Sequence, residues 1–388
     1  MTTPSPSPSG LALGPADLRG LARLGFGAVE GVTDLVEQMH LTIGERALPL
    51  GAAVEGRTRG ITGFVYRTIR GTTKLASHGV DAGLKLAERV APTARSSPKR
   101  EAFVAAINGL CGDHLEATAN PLAIPMSFRV DGRSLALDAS QLKTALPEAK
   151  GRIAVLVHGL CMNDLQWRRE GHHHGQMLAS DLGYTVVDLH YNSGLPVATN
   201  GARFAAQLDT LVAQWPVPVD ELVIVGHSMG GLVARSACLE ADEHGFAWRR
   251  KLTRLVCLGT PHRGALLEKG GHRIDQLLGL SPYVAPFARL GKTRSAGITD
   301  LRHGSLQPLP EDVAVYLMAA TTAERPEGLK HAVVGDGLVT LASAWGEHRD
   351  PALALAVPRS RKALLTGANH WDLLSRPEAA EMLRRWLG

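Results

Sequence analysis

The sequence predicts an α/β fold: a mostly parallel central sheet with helices on both faces. Four runs rich in valine, leucine and isoleucine carry this expectation, at Ile153 to Val157, Thr185 to Leu189, Leu222 to Val225 and Leu255 to Leu258. Helical segments separate them, and short apolar runs alternating with helices are the mark of strands buried on both faces. A second observation is the segment Met126 to Leu137, which alternates on both sides of Asp131-Gly132. That is the short-range signature of an antiparallel hairpin, placed where the sheet opens. The third is Gly226-His227-Ser228-Met229-Gly230-Gly231, a serine between glycines directly behind the third run and ahead of a helical stretch. Ala314 to Met318 and Ala363 to Leu365 add two further strand candidates.

Ahead of the sheet, Met1 to Gly10 is a Pro/Ser tail with neither a basic start nor an apolar core, so it does not read as a secretion signal. Leu18, Leu21, Val29, Val32, Leu35, Val36 and Met39 then recur at helical spacing. A second helical stretch carries Ile61, Phe64, Val65, Ile69, Leu75, Val80, Leu84 and Leu86, interleaved with Arg67, Arg70, Lys74, Lys85 and Arg89. Two readings stay open for these amphipathic helices: an apolar face packed on the protein itself, or one laid on a membrane. Ala91 to Lys99 reads as a linker. The expected organisation is a tail over residues 1–15, a helical extension and linker over 16–100, and an α/β domain over 101–388. Within it, the long connection at about 265–310, with Leu266, Leu267, Leu277, Leu278 and Leu290, is expected to form a helical cap, with a buried packing arm as the alternative.

Charge is unevenly distributed. Residues 1–100 hold 13 Lys/Arg against 8 Asp/Glu, whereas residues 101–388 hold 29 of each, so the whole net charge of +5 sits in the N-terminal quarter. Such a segment suits an anionic lipid surface, and a solvated helix face is the alternative. Arg249-Arg250-Lys251 is isolated, giving no stripe for nucleic acid. No run approaches the length of a membrane span, and no phosphate-binding or dinucleotide fingerprint follows a strand, so no cofactor is expected. Cys111, Cys161, Cys238 and Cys257 form no CxxC pair and read as small buried residues, with a slight preference for a reducing compartment. A cytoplasmic protein, peripheral to membrane, is the localisation these features suggest. His172-His173-His174 tempts a metal reading; neighbouring residues rarely converge on one ion, and a solvated loop is expected instead.

A serine hydroxyl needs a sharp turn, a general base and oxyanion donors before it acts as a nucleophile. Ser228 is the candidate nucleophile. Val157-His158-Gly159-Leu160 ends the first parallel run, and the N–H groups of Leu160 and Met229 are the candidate oxyanion donors, with His158 as a structural histidine holding the loop. Late in the chain, Asp336 lies between two glycines in a turn, and His370 follows the last strand candidate. Their order matches nucleophile, acid and base, with Asp336 orienting His370. Cys161, Met162 and Trp371 flank these groups and are the candidate substrate contacts.

These motifs resemble the α/β-hydrolase superfamily, and within it the bacterial triacylglycerol lipase and esterase group: VHGL at 157–160, GHSMGG at 226–231, GTPHRG at 259–264, GDGLV at 335–339 and NHWD at 369–372. The resemblance covers residues 152–388. It implies oxyanion donors at Leu160 and Met229, the acid at Asp336 and the base at His370. Gly335 replaces the asparagine common before the acid, and Cys161-Met162 stands where small polar residues are common. The function implied is metal-independent hydrolysis of carboxylic esters of apolar or lipid acids. An acyltransferase using the same three residues and a non-catalytic lipid-binding module are the alternatives, the latter with no use for all five positions.

Overall fold

The computed structural model describes residues 13–44, 60–90, 97–265, 295–304, 308–324 and 335–388. The chain divides into two compact units, Met1–Arg100 with Ala117–Leu122, and Glu101–Glu116 with Ala123–Gly388. The cap residues Leu266 to Leu290 lie outside the described residues.

The first unit is a helical hairpin of α1 (Pro15–Gly44) and α2 (Gly60–Val90). Its seam is ionic. Arg23 reaches Asp81 at 2.6 Å, Arg19 reaches Glu88 at 3.0 Å, and Arg70 pairs with both Asp34 and Glu37. Arg100 closes on Asp17 at 2.6 Å. Asn120 spans the turn by donating to the Gly20 carbonyl at 3.0 Å.

A third helix, α3 (Pro98–Ala117), begins inside the stretch expected to be linker. The reason is local. Ser97 Oγ accepts from Arg100 N at 3.2 Å, as an N-cap residue does, and Pro98 supplies a φ suited to the first helical position. Phe103 to Ile107 are then buried without interruption.

The second unit holds an eight-stranded sheet. Its strands are β1 (Ser127–Val130), β2 (Arg133–Ser134), β3 (Arg152–Val157), β4 (Thr185–His190), β5 (Glu221–His227), β6 (Leu252–Leu258), β7 (Ala314–Thr321) and β8 (Lys362–Thr366). Their order is β8-β7-β6-β5-β3-β4-β1-β2. The six strands from β8 to β4 pair in parallel, and β1 joins β4 antiparallel. Asp131 and Gly132 take φ of 49° and 74°, the left-handed pair that a two-residue hairpin turn requires.

Ile153 to Val157 are all fully buried, because helices cover both faces of β3. On one face α5 (His174–Leu182) and α10 (Pro377–Leu387) bury Leu178, Leu383 and Leu387 against Ala154, Leu156, Val223 and Val256. On the other lie α6 (Val197–Ala213) and α7 (Met229–His244). Short helices α4 (Ala139–Ala145), α8 (Ala296–His303) and α9 (Leu341–Ala344) fill the connections. Among the described residues no helix is long and apolar enough to cross a membrane.

The histidine run is not a solvated loop. His172 and His173 form a ribbon with Arg168 and Arg169, His173 Nδ1 caps α5 by accepting from Gln176 N at 3.1 Å, and His174 is fully buried. The cap turns His174 inward, where an apolar environment and a carbonyl await it. All four cysteines are free, three of them buried.

Phe204 on α6 meets Phe128 on β1 at 6.1 Å between ring centroids, and both are fully buried. Phe204→Ala should therefore cost about 3–5 kcal/mol, read as a lower urea midpoint with an unchanged slope.

Candidate active site

Ser228 sits between the end of β5 and the first residue of α7 with φ 53° and ψ −122°. A non-glycine residue in that region is strained, and it persists only where its surroundings over-determine it. Here two close approaches do so. A β-carbon on Gly226 would lie 2.5 Å from Gly231 N, and one on Gly230 would collide with the Val157 carbonyl oxygen. The serine N–H donates to the Leu258 carbonyl at 2.8 Å, and its carbonyl accepts from Gly231 at 3.1 Å. Ser228 is 4% exposed, at the carboxyl edge of the sheet.

Asp336 and His370 come from the connection after β7 and the loop after β8. His370 Nδ1 and Asp336 Oδ2 are 2.6 Å apart, with both side chains buried. The other carboxylate oxygen accepts from Leu338 N at 2.9 Å and Val339 N at 2.8 Å, so the side chain is fixed in orientation. A carboxylate on Nδ1 assigns the proton there and leaves Nε2 with a bare lone pair. His370 Nε2 is buried without a hydrogen-bond partner among the described residues, and no hydrogen bond joins it to Ser228. The ring nevertheless lies at the elbow: a β-carbon on Gly259, at the end of β6, would stand 3.0 Å from its Cε1, and the His227 ring lies 4.7 Å away.

The loop carrying His370 is gripped through its carbonyls. His227 Nε2 donates to the His370 carbonyl at 3.2 Å, and His174 Nε2 donates to that of Leu373 at 2.9 Å. Ala368 N donates to the Thr321 carbonyl at 2.8 Å. These histidines were not foreseen as site residues; adjacency to Ser228 is the one sequence signal for His227, and their acceptors are backbone atoms that carry no sequence signature. Burial pushes His174 down to about 4 and His227 well below the ordinary imidazole range. Arg169 lies 5.8 Å over the Trp371 ring beside them.

On the opposite side, the loop after β3 approaches Ser228. A β-carbon on Gly159 would meet Ser228 Cβ at 3.0 Å. Leu160 is buried, and its N–H has no acceptor among the described residues. Met229, as the first residue of α7, has no intrahelical carbonyl to donate to. Cys161 takes φ 60°, donates its N–H to Ser193 Oγ at 3.0 Å, and buries its thiol toward the Ala106 carbonyl of α3. Met162 is in the main core, and Trp371 is half-buried. His158 bonds the Gly159 carbonyl at 2.9 Å and stacks on Tyr191 at 4.3 Å. Burial holds its pKa down to about 3. A cavity of about 670 Å³ lies elsewhere, between α5, the β1–β2 turn and the start of β4, and none of these residues line it. Glu240, Glu243 and His244 gather on α7 as exposed or half-buried groups apart from the site.

A strained serine turn after β5, a buried aspartate after β7 and a histidine after β8, on a parallel sheet with an antiparallel edge, decide the architecture. The chain has the α/β-hydrolase fold. Residues 204–281 match the family model of the PGAP1-like alpha/beta domain. A comparison with curated protein sequences gives no match. Among solved structures, a Bacillus licheniformis lipase in mature form is 18% identical with a TM-score of 0.41, covering 62% of this chain and 93% of its own. A Pyrococcus furiosus esterase is 16% identical with a TM-score of 0.35, covering 62% and 84% respectively. A thermophilic esterase of Thermogutta terrifontis is 13% identical with a TM-score of 0.38, covering 62% and 90%.

The buried histidines of this fold dictate its acid stability. A group neutral in the fold binds fewer protons there than in the unfolded chain, so stability falls as pH drops below about 6.5. His158 and His174, held down to about 3 and about 4, each contribute a slope of about 1.4 kcal/mol per pH unit in that window. Asp188, whose buried carboxyl is raised well above its ordinary value, acts in the opposite sense but is one group against several. Urea midpoints should fall steadily from pH 7 to pH 4.5; a flat profile contradicts neutral burial of these rings.

Proposed function

We propose that this protein is a serine hydrolase of carboxylic esters, with apolar acyl esters as its substrate class. The observation that carries the reading is the combination of a strained Ser228 elbow with a buried Asp336–His370 pair whose Nε2 is left without a partner. In this reading Ser228 Oγ attacks the ester carbonyl while His370 Nε2 takes its proton. The tetrahedral oxyanion is held by the N–H groups of Leu160 and Met229. His370 returns the proton to the leaving alcohol, the acyl group stays on Ser228, and a water activated by the same nitrogen releases the acid. Asp336 keeps the Nδ1 tautomer and stabilises the imidazolium, and His227 and His174 position the ring through the loop. The absence of a serine–histidine bond fits a resting site in which that contact tightens when substrate binds.

The test is hydrolysis of p-nitrophenyl esters from acetyl to palmitoyl. Ser228→Ala should abolish turnover and labelling by a fluorophosphonate, and a rate that survives the substitution removes Ser228 as nucleophile. Asp336→Asn should lower kcat by about 10⁴-fold with KM little changed, since the wrong tautomer is then available. A chain-length profile that favours acetyl over all longer esters would remove the apolar acyl part of the proposal.

A further inference from the structure

The helical hairpin of the first unit is inside out. Its interhelix seam is built from charges: Arg19, Arg23 and Arg70 face Asp81, Glu88, Asp34 and Glu37, and Glu37 is 2% exposed. Meanwhile seven apolar side chains of α2 point to solvent. Phe64 is 63% exposed, Leu75 76%, Leu86 62% and Val90 79%, with Val65, Ile69 and Val80 also exposed. Thr68, Thr72, Ala76, Gly79 and Gly83 between them are exposed as well. At a helical repeat these positions share one face, an arc of about 160°, running most of the helix. A soluble helix ordinarily turns such a face inward. Here the ion pairs commit the polar face of α2 to α1, so the apolar face cannot take that place without stranding buried charges.

We propose that this outward face of α2 docks the protein on an anionic lipid surface, lying in the interface plane. The charge pattern selects this occupant. Arg67, Lys74, Lys85 and Arg89 are exposed and project along one margin of the apolar arc, where long side chains reach lipid phosphates while their stems cover hydrocarbon. The only two carboxylates of α2, Asp81 and Glu88, are turned toward α1 and paired with its arginines, so no acid of α2 opposes an anionic surface. A helix of 31 residues whose apolar side is interrupted by Gly79, Gly83 and threonines is amphipathic rather than apolar all round, so it lies on a bilayer rather than spanning it. This inference is independent of the chemistry assigned to Ser228.

The test is cosedimentation of the full-length protein with vesicles of phosphatidylglycerol and phosphatidylcholine, against phosphatidylcholine alone, at low salt. The wild-type chain should pellet with the anionic vesicles. Leu75→Asp combined with Leu86→Asp should weaken binding at least tenfold, and Lys74→Glu, Lys85→Glu and Arg89→Glu together about a hundredfold, taking roughly fivefold per basic group. All five side chains are exposed, so helicity by circular dichroism should be preserved in each variant. Failure to bind anionic vesicles at low salt overturns the proposal. So does binding that these variants leave unchanged. A wild-type dimer that binds no vesicles and becomes a monomer on Leu75→Asp would assign the face to a second copy of the chain instead.

Discussion

One steric constraint governs the second unit: between β5 and α7 the chain turns so tightly, against itself and against the end of β3, that two positions have no room for a β-carbon. With glycine at 226 and 230, the turn closes and the intervening residue is forced to a positive φ. Ser228 is thereby lifted from the ladder, the free N–H groups at the head of α7 are brought under it, and the loop after β3 is drawn within contact distance. Filling Gly226 would drive the head of α7 off the end of β5, and filling Gly230 would drive it off the end of β3, the strand beside it. The geometry of the site and the integrity of the core are therefore one requirement.

The histidine side of the site is organised differently. Its ring is not carried on a regular element; it is held by carbonyl acceptors in its loop and by donors from β5 and α5. Imidazole suits this use because its neutral tautomer presents one donor and one acceptor at the end of a bulky, apolar-walled ring. A neutral ring at 227 also places no further charge next to the Asp336–His370 pair. Trp167 and Trp371 wall the same cluster, lying 6.3 and 5.8 Å from the His227 ring.

Much of this architecture was legible from local pattern. The central strands are continuous apolar runs because both their faces are covered, and the hairpin declared itself through Asp131-Gly132. The elbow was readable because its steric demands fall on consecutive residues. Two features resisted for identifiable reasons. Helix α3 is buried along Phe103 to Ile107 without a polar stripe, so no 3.6-residue alternation marks it, and the Pro- and Ser-rich stretch before it reads as linker although Ser97-Pro98 is a helix start. The grip of His227 on the loop spans 143 residues and ends on a backbone atom, so neither partner's identity reveals it. For α2, periodicity established that the helix is amphipathic but carried no sign; which face turns outward depends on the charges of α1, which are distant in sequence.

The bond network at the base of the sheet carries a consequence for how the molecule comes into being. Arg152 at the start of β3 donates to the Leu387 carbonyl at 3.1 Å, and Tyr184 does so at 3.0 Å, while Leu383, Trp386 and Leu387 complete the core beneath α5. A central strand is thus finished by a helix 235 residues later in the chain. During translation, the apolar floor of α5 stays wet until α10 has left the ribosome, and Ser228 exists for that interval in a chain that has not yet made Asp336 or His370.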